Sequence, residues 1–209
     1  DDSPTVDESA EELLLDPNVL AAGGFLSLGA FNISPDHQRL AYSLDTSGDE
    51  VYTLYVKDLA SGAVEQLPFE DCDGSMTWAN DSQTLFFGEL DDTHRPHKLY
   101  RYRLDGTAAQ EVFHEPDGRF FLHCYRASSE QQLFLALGSK TTSEIWVLDA
   151  CQPQQPFTCI APRVEDHEYD VDHGVLDGQW TWFIRSNRDG INYALYTAVD
   201  TGVAPTEAD

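Results

Sequence analysis

The chain has 209 residues, 41% of them hydrophobic, which suits one domain with a real core. Its formal charge is −25, from 12 Lys and Arg against 37 Asp and Glu; this argues against a nucleic-acid partner, which needs a basic face, and fits cationic partners or plain solubility. No run of about 18 apolar residues is present, so no transmembrane helix is expected, and the acidic start Asp1-Asp2-Ser3-Pro4 does not read as a signal peptide.

Taken in order, residues 1–10 read as disordered and residues 1–24 as a lead-in. Within it, Glu11-Glu12-Leu13-Leu14-Leu15-Asp16 is a short apolar run, read as a short strand. Pro17-Asn18-Val19-Leu20-Ala21-Ala22 predicts one helical turn ended by Gly23-Gly24. The start is not Met, which fits a processed or excised piece. From Phe25 the pattern changes to short strands between turn residues. Ser34-Pro35-Asp36 is turn chemistry: Pro presets φ, and Ser or Asp bonds back to the backbone. Leu40-Ala41-Tyr42-Ser43-Leu44 then reads as a half-buried strand.

This unit returns three times. Leu40, Leu85, Leu133 and Trp180 open similar strands, 45, 48 and 47 residues apart. Leu54-Tyr55, Leu99-Tyr100, Ile145-Trp146 and Leu195-Tyr196 follow at steps of 45, 46 and 50. The turn recurs as Ala79-Asn80-Asp81, Ser128-Ser129-Glu130 and Leu176-Asp177-Gly178. A short fourth strand closes the first three units, at 64–67, 111–113 and 157–160. Four strands every 45–50 residues is the period of a β-propeller blade. The fold class is therefore all-β, a partial β-propeller of about four four-stranded antiparallel blades. Blade 1 spans 25–70, blade 2 71–116, blade 3 117–163, and an incomplete blade 4 164–209. No fourth strand follows Thr201-Gly202, so blade 4 is expected to lack its outer strand. Such an unpaired edge invites strand addition, including self-association.

Cys72, Cys124, Cys151 and Cys159 contain no Cys-x-x-Cys pair. Free thiols in a reducing compartment are expected, with a Cys151–Cys159 bridge across a hairpin as the lesser alternative. Asp45-Thr46-Ser47-Gly48-Asp49-Glu50 hints at a calcium loop but lacks the ligand spacing and closing Glu of an EF-hand, so it reads as a hairpin loop turned by Gly48. Trp78, Trp146, Trp180 and Trp182 fall in strands and are expected to pack between blades.

Gly48-Asp49-Glu50 followed by Tyr52-Thr53-Leu54 resembles the first blade of the prolyl oligopeptidase family. Arg95-Pro96-His97-Lys98-Leu99-Tyr100-Arg101, Thr142-Ser143-Glu144-Ile145-Trp146 and His167-Glu168-Tyr169-Asp170-Val171-Asp172-His173 resemble its oligopeptidase B (protease II) branch. So does the lead-in Glu11–Asp16 with Asn18, and the resemblance holds in order along nearly the whole chain. It implies a cytoplasmic serine peptidase that cuts short peptides after Lys or Arg, with a seven-bladed propeller capping an α/β-hydrolase domain. This chain would hold about four blades and none of the catalytic domain. The residues agree: a nucleophile elbow needs Gly-x-Ser-x-Gly, and Gly24-Phe25-Leu26-Ser27-Leu28-Gly29 has the wrong first spacing. No catalytic residue, cofactor or metal is assigned. The partners implied are the C-terminal catalytic domain and short basic peptides. The alternative is a non-enzymatic TolB-like or WD40-like binding propeller, although the Trp-Asp ending of WD40 blades is absent.

Two groups are candidate sites. On an inner strand, Glu168, Asp170 and Asp172 share the face opposite His167, Tyr169, Val171 and His173. They form a carboxylate row that could line the channel and steer basic peptides; hydrogen bonding between blades is the plainer reading. His167 and His173 stand roughly 20 Å apart along a strand, too far for one metal. Arg95, Lys98 and Arg101, beside His94, His97 and Arg103, form the basic patch and are expected to make interblade or interdomain ion pairs.

Overall fold

The sequence repeat becomes four antiparallel meanders in a computed structural model, which describes residues 11–202 and Pro205. Blade 1 is β1 (Ser27–Ile33), β2 (Arg39–Asp45), β3 (Thr53–Asp58) and β4 (Val64–Gln66). Blade 2 is β5 (Cys72–Trp78), β6 (Thr84–Leu90), β7 (Pro96–Arg103) and β8 (Gln110–His114). Blade 3 is β9 (Phe121–Arg126), β10 (Gln132–Gly138), β11 (Ser143–Asp149) and β12 (Thr158–Ala161). Blade 4 has three strands among the described residues: β13 (Tyr169–Leu176), β14 (Gln179–Ser186) and β15 (Ala194–Val199). Strand order follows chain order in every sheet, as in a partial propeller.

The first turns of blades 1–3 are built alike: the Ser34, Ala79 and Ala127 amides donate to the Arg39, Thr84 and Gln132 carbonyls. Blade 4 turns within Asp177-Gly178 instead. The Ser34 hydroxyl donates to Asp36 Oδ1 at 2.6 Å and accepts from the Arg39 amide at 2.9 Å. The next residue, His37, takes a left-handed φ of 58°. Ser82 and Glu130 occupy the same place with φ of 54° and 60°, and Asp177 in the blade 4 turn has a φ of 50°. These four residues stand 45, 48 and 47 apart, the steps read from the strands.

The middle strands are covered on both faces. Leu40–Leu44 is therefore buried throughout rather than half-buried as its sequence reads, with Ser43 satisfied by the Gly74 carbonyl. Leu85–Phe87 and Leu133–Leu137 are likewise apolar without alternation. Leu85 and Phe87 pack toward blade 1 with Ala41, Leu54 and Val56, while Phe86 packs toward blade 3 with Leu133 and Leu135. Phe134 points the other way and meets Val171 and Trp182 of blade 4. Trp78 and Trp182 are buried in these seams, and Trp146 meets Phe113 of blade 2 edge-on. Trp180 departs from the expectation. It is 45% exposed, although it stacks on His173. Trp180 shares a face with buried Trp182, both against His173, but it stands at the β13–β14 hairpin end, where Val175 and Leu176 are exposed as well.

In the lead-in, α1 (Pro17–Ala21) is capped by Asp16, whose carboxylate accepts from the Asn18 and Val19 amides. The short strand read for Glu11–Asp16 does not form. Leu14 and Leu15 instead pack onto the cluster of Leu40, Tyr42 and Leu44, and Lys57 donates to the Leu14 carbonyl at 2.7 Å. The run is held by side chains on the face of a sheet, where no strand edge is offered for pairing. The expectation of disorder for residues 1–10 lies outside the described residues.

All four cysteines are free thiols. Burial pushes Cys72 and Cys124 up to about 12, which makes them poor nucleophiles. The Asp45–Glu50 segment is a hairpin loop, with Gly48 at φ 89° and the Asp45 carboxylate accepting from the Ser47, Gly48 and Glu50 amides.

Gly74 is the tightest glycine that also has a left-handed backbone. Its φ is +83°, and a Cβ there would lie 2.7 Å from the Tyr52 ring. Gly74→Ala is expected to cost about 2 kcal/mol in urea unfolding, through overpacking and backbone strain. Gly118→Ala, which meets open space, should cost less than about 0.5 kcal/mol. Equal costs would contradict this account of the β1–β5 seam.

Candidate functional site

The inner strands β1, β5 and β9 line a concavity of about 830 Å³ at the position of a propeller axis. Its wall is stitched blade to blade by side chains at repeat-equivalent positions. Asn32 Nδ2 donates to the Met76 carbonyl at 2.6 Å, Thr77 Oγ1 to the Cys124 carbonyl at 2.9 Å, and the Tyr125 hydroxyl to the Val171 carbonyl at 3.2 Å. Trp78 Nε1 returns a bond to the Asn32 carbonyl at 3.0 Å. The ionisable groups that border the space include Glu50, Asp73, His94 and His123. Asp73 is half-buried, and burial raises its carboxyl above the ordinary value despite hydrogen bonds from Ser75.

The carboxylates singled out from the sequence all lie on or beside β13, and none borders this concavity. Glu168 accepts from the Tyr193 hydroxyl at 2.6 Å. Asp170 is paired with Arg185 on the uncovered side of blade 4, with both side chains 60% exposed. Asp172 accepts from the Ser128 amide and hydroxyl at 2.9 and 2.5 Å, which ties it to the blade 3 turn. Burial opposes ionisation of Asp172, but the Ser128 bonds outweigh it and hold the carboxyl below its usual range. The two histidines flanking this run bond to hydroxyls: His167 Nε2 lies 2.8 Å from Ser186 Oγ, and His173 Nδ1 lies 2.8 Å from Ser129 Oγ. Among the described residues no group of three or more His, Cys, Asp or Glu converges on a cation site, and no helix is long and apolar enough to cross a membrane.

The basic patch separates into three roles. Arg95 is buried; its Nε donates to Asp91 at 2.8 Å, and Nη1 reaches the Glu115, Asp117 and Phe120 carbonyls. It thereby ties the β6–β7 loop to the link between blades 2 and 3. Lys98 pairs with Glu89 and Glu111, both in its own blade. Arg101 crosses a seam by a hydrogen bond, donating to the Pro153 carbonyl of blade 3 at 2.6 Å.

Sequence reasoning missed Arg163. It lies in the link between blades 3 and 4 and bridges two buried carboxylates, Glu115 at 2.5 Å and Glu144 at 3.1 Å, with its guanidinium 3.9 Å from the centre of the Phe120 ring. A signal existed: Glu115 and Arg163 are 48 residues apart, within the repeat period, and so occupy equivalent blade links.

The chain matches the family described as prolyl oligopeptidase, N-terminal beta-propeller domain, over residues 2–207. The chain belongs to the prolyl oligopeptidase family. It is similar to protease 2 of Moraxella lacunata, 33% identical over 193 residues that make up 90% of this chain and 27% of that protein. It is also similar to dipeptidyl aminopeptidase BI of Pseudoxanthomonas mexicana, 32% identical over 92% of this chain and 27% of that protein. Oligopeptidase B from Leishmania major superposes on 99% of the chain with a TM-score of 0.84 and 26% identity, across 29% of its own length. The chain thus spans about a quarter of these relatives. Membership of that family makes these blades part of its N-terminal propeller, and the TolB-like and WD40-like alternatives fall away.

Proposed function

We propose that this chain is the gating part of a cytoplasmic serine oligopeptidase of the oligopeptidase B type, which hydrolyses short peptides after Lys or Arg. The observation that carries the proposal is the concavity of about 830 Å³ lined by the inner strands in a chain of this family. The chemistry belongs to a C-terminal α/β-hydrolase domain with which these blades pack, and the present residues act by admission and steering. The net charge of −25 favours cationic peptides over anionic ones. Glu168, Asp170 and Asp172 contribute to that field from blade 4, and the edge of β15, which pairs with no further strand among the described residues, is a site for strand addition by a second copy.

The test is an assay on two proteins. This chain alone should release no fluorophore from a blocked Arg-Arg aminomethylcoumarin beyond a heat-killed control. The full-length protein should cleave that substrate at least about 100-fold faster than its Pro counterpart, since a site built around a charge rejects a substrate lacking it. Preference for Pro would refute the Lys/Arg reading. A second reading comes from the relative named dipeptidyl aminopeptidase BI: strict dependence on a free substrate amino terminus would favour release of dipeptides instead.

A further inference from the structure

The concavity holds a half-buried carboxylate, Asp73, that makes no close ion pair among the described residues; His123 is the nearby group that favours its charge, from beyond contact distance. Asp73 stands at a bulge in β5, where the register shifts between Cys72 and Met76 and Gly74 takes a positive φ. Bulges re-aim side chains and concentrate beside functional sites. This one sets the carboxylate against the backbone of β6, where only a glycine leaves room: a Cβ at Gly88 would lie 2.5 Å from Asp73 Oδ2. Oδ1 accepts from the Ser75 amide at 2.8 Å and the Ser75 hydroxyl at 2.7 Å, and Oδ2 lies 3.0 Å from the same hydroxyl. These donors are neutral.

Three other withdrawn carboxylates are matched by arginines: Asp91 has Arg95, and Glu115 and Glu144 share Arg163. Asp45, buried in its hairpin loop, is instead satisfied by three backbone amides and the Ser47 hydroxyl. Among the described residues no Lys, Arg or His nitrogen comes within ion-pairing distance of Asp73. Withdrawing a carboxylate from water without a counter-charge is costly, and Asp73 opens onto a space that a cation can enter from solution. Tyr52, held between Gly29 and Gly74, supplies an aromatic wall of the kind that attracts guanidinium groups.

We infer that Asp73 is a binding point for the guanidinium or ammonium group of a basic peptide side chain inside the axial concavity. The inference rests on the peptide-admission reading above and assigns its cation recognition to blade 2 rather than to the carboxylates of β13. Ser75 fixes the orientation of the carboxylate, leaving lone pairs for a charge-assisted bond.

The probe is N-acetyl-arginine amide, titrated into the isotopically labelled 209-residue chain and followed by amide NMR shifts, with the neutral N-acetyl-citrulline amide as isostere. Saturable shifts centred on Asp73, Gly74, Ser75 and His123 are expected for arginine and absent for citrulline. Asp73→Asn should weaken binding about tenfold, the loss of one charge-assisted hydrogen bond. Asp170→Asn should change it less than twofold. Gly88→Ala keeps the charge but displaces the carboxylate, so it should weaken binding too, which separates a positioned site from net charge. The wild-type shift map needs no variant and decides the matter even if a substitution unfolds the chain. Shifts centred on Glu168–Asp172, equal responses to citrulline, or unchanged affinity in Asp73→Asn would overturn the assignment to Asp73 while leaving peptide admission standing. No response along the concavity to this probe or to a blocked Arg-Arg dipeptide would overturn both.

Discussion

Phe134→Ala is expected to lower stability by about 3–5 kcal/mol, the largest loss from any single truncation considered for this chain. Phe134 is fully buried on β10, the middle strand of blade 3. Its ring lies 5.4 Å from Tyr125 on the neighbouring strand and 6.3 Å, edge-on, from Trp182 of blade 4. Tyr169 and Val171 of β13 complete the same cluster. Truncation therefore loses both the transfer of a phenyl ring from water and the contacts around the cavity left behind. At roughly 2–4 °C per kcal/mol for a chain of this size, the melting temperature should fall by about 6–20 °C. The loss should also be local. A repeat protein is a row of units joined by nearest-neighbour seams, and Phe134 sits in the seam between blades 3 and 4. Hydrogen exchange should accelerate in residues 169–199 well before residues 27–66 respond. Uniform loss of protection across both ranges would show that the blades unfold together and that the seam is not a separable unit.

This seam also shows how much could be read from the sequence. The propeller was legible because its signal is periodic: turns of Ser, Pro, Asn and Asp, and apolar strands, recur at one spacing. The uninterrupted Leu-Phe-Phe and Leu-Phe-Leu runs already carried the two-sided burial of the middle strands. The site was less legible. Alternation correctly placed Asp170 and Asp172 opposite Val171 and His173, but the strand pattern does not say whether a face meets the axis, a neighbouring blade or solvent. Asp73 carries no such pattern. Its exposure to the concavity depends on a bulge and on Gly88 across the ladder, a coincidence of two positions 15 residues apart. Arg95 was visible as a charge, but not as a donor to three carbonyls of a link, because those acceptors are backbone and leave no mark on the sequence.

Arg163→Ala should cost about 3 kcal/mol near neutral pH, at the low end for breaking a buried ion pair because Arg163 keeps some contact with water. Glu115 and Glu144 are only 3% and 9% exposed, and the substitution leaves both without their cation. Arg163 is also the guanidinium stacked on Phe120, so part of the loss is packing. Acidity provides a check that packing alone would not satisfy. Burial raises the Glu144 carboxyl, but bonds from Arg163 and Trp146 outweigh it and hold it below its ordinary value. In the native chain that group adds stability above the unfolded carboxyl pKa, and the contribution is lost as pH falls through the folded value. Without Arg163, burial dominates and the folded pKa rises above the unfolded one. Glu144 then favours the folded state only when protonated, and stability declines as pH climbs through the unfolded value toward the folded one. The stability gap between native chain and variant should therefore widen from pH 4 to pH 7 in urea titrations. A gap that stays constant with pH would assign Arg163 to packing alone. In that case Arg163→Met, which keeps most of the volume and none of the charge, should restore most of the loss; if the ion pair carries it, Arg163→Met should remain nearly as unstable as Arg163→Ala at pH 7 and recover at pH 4.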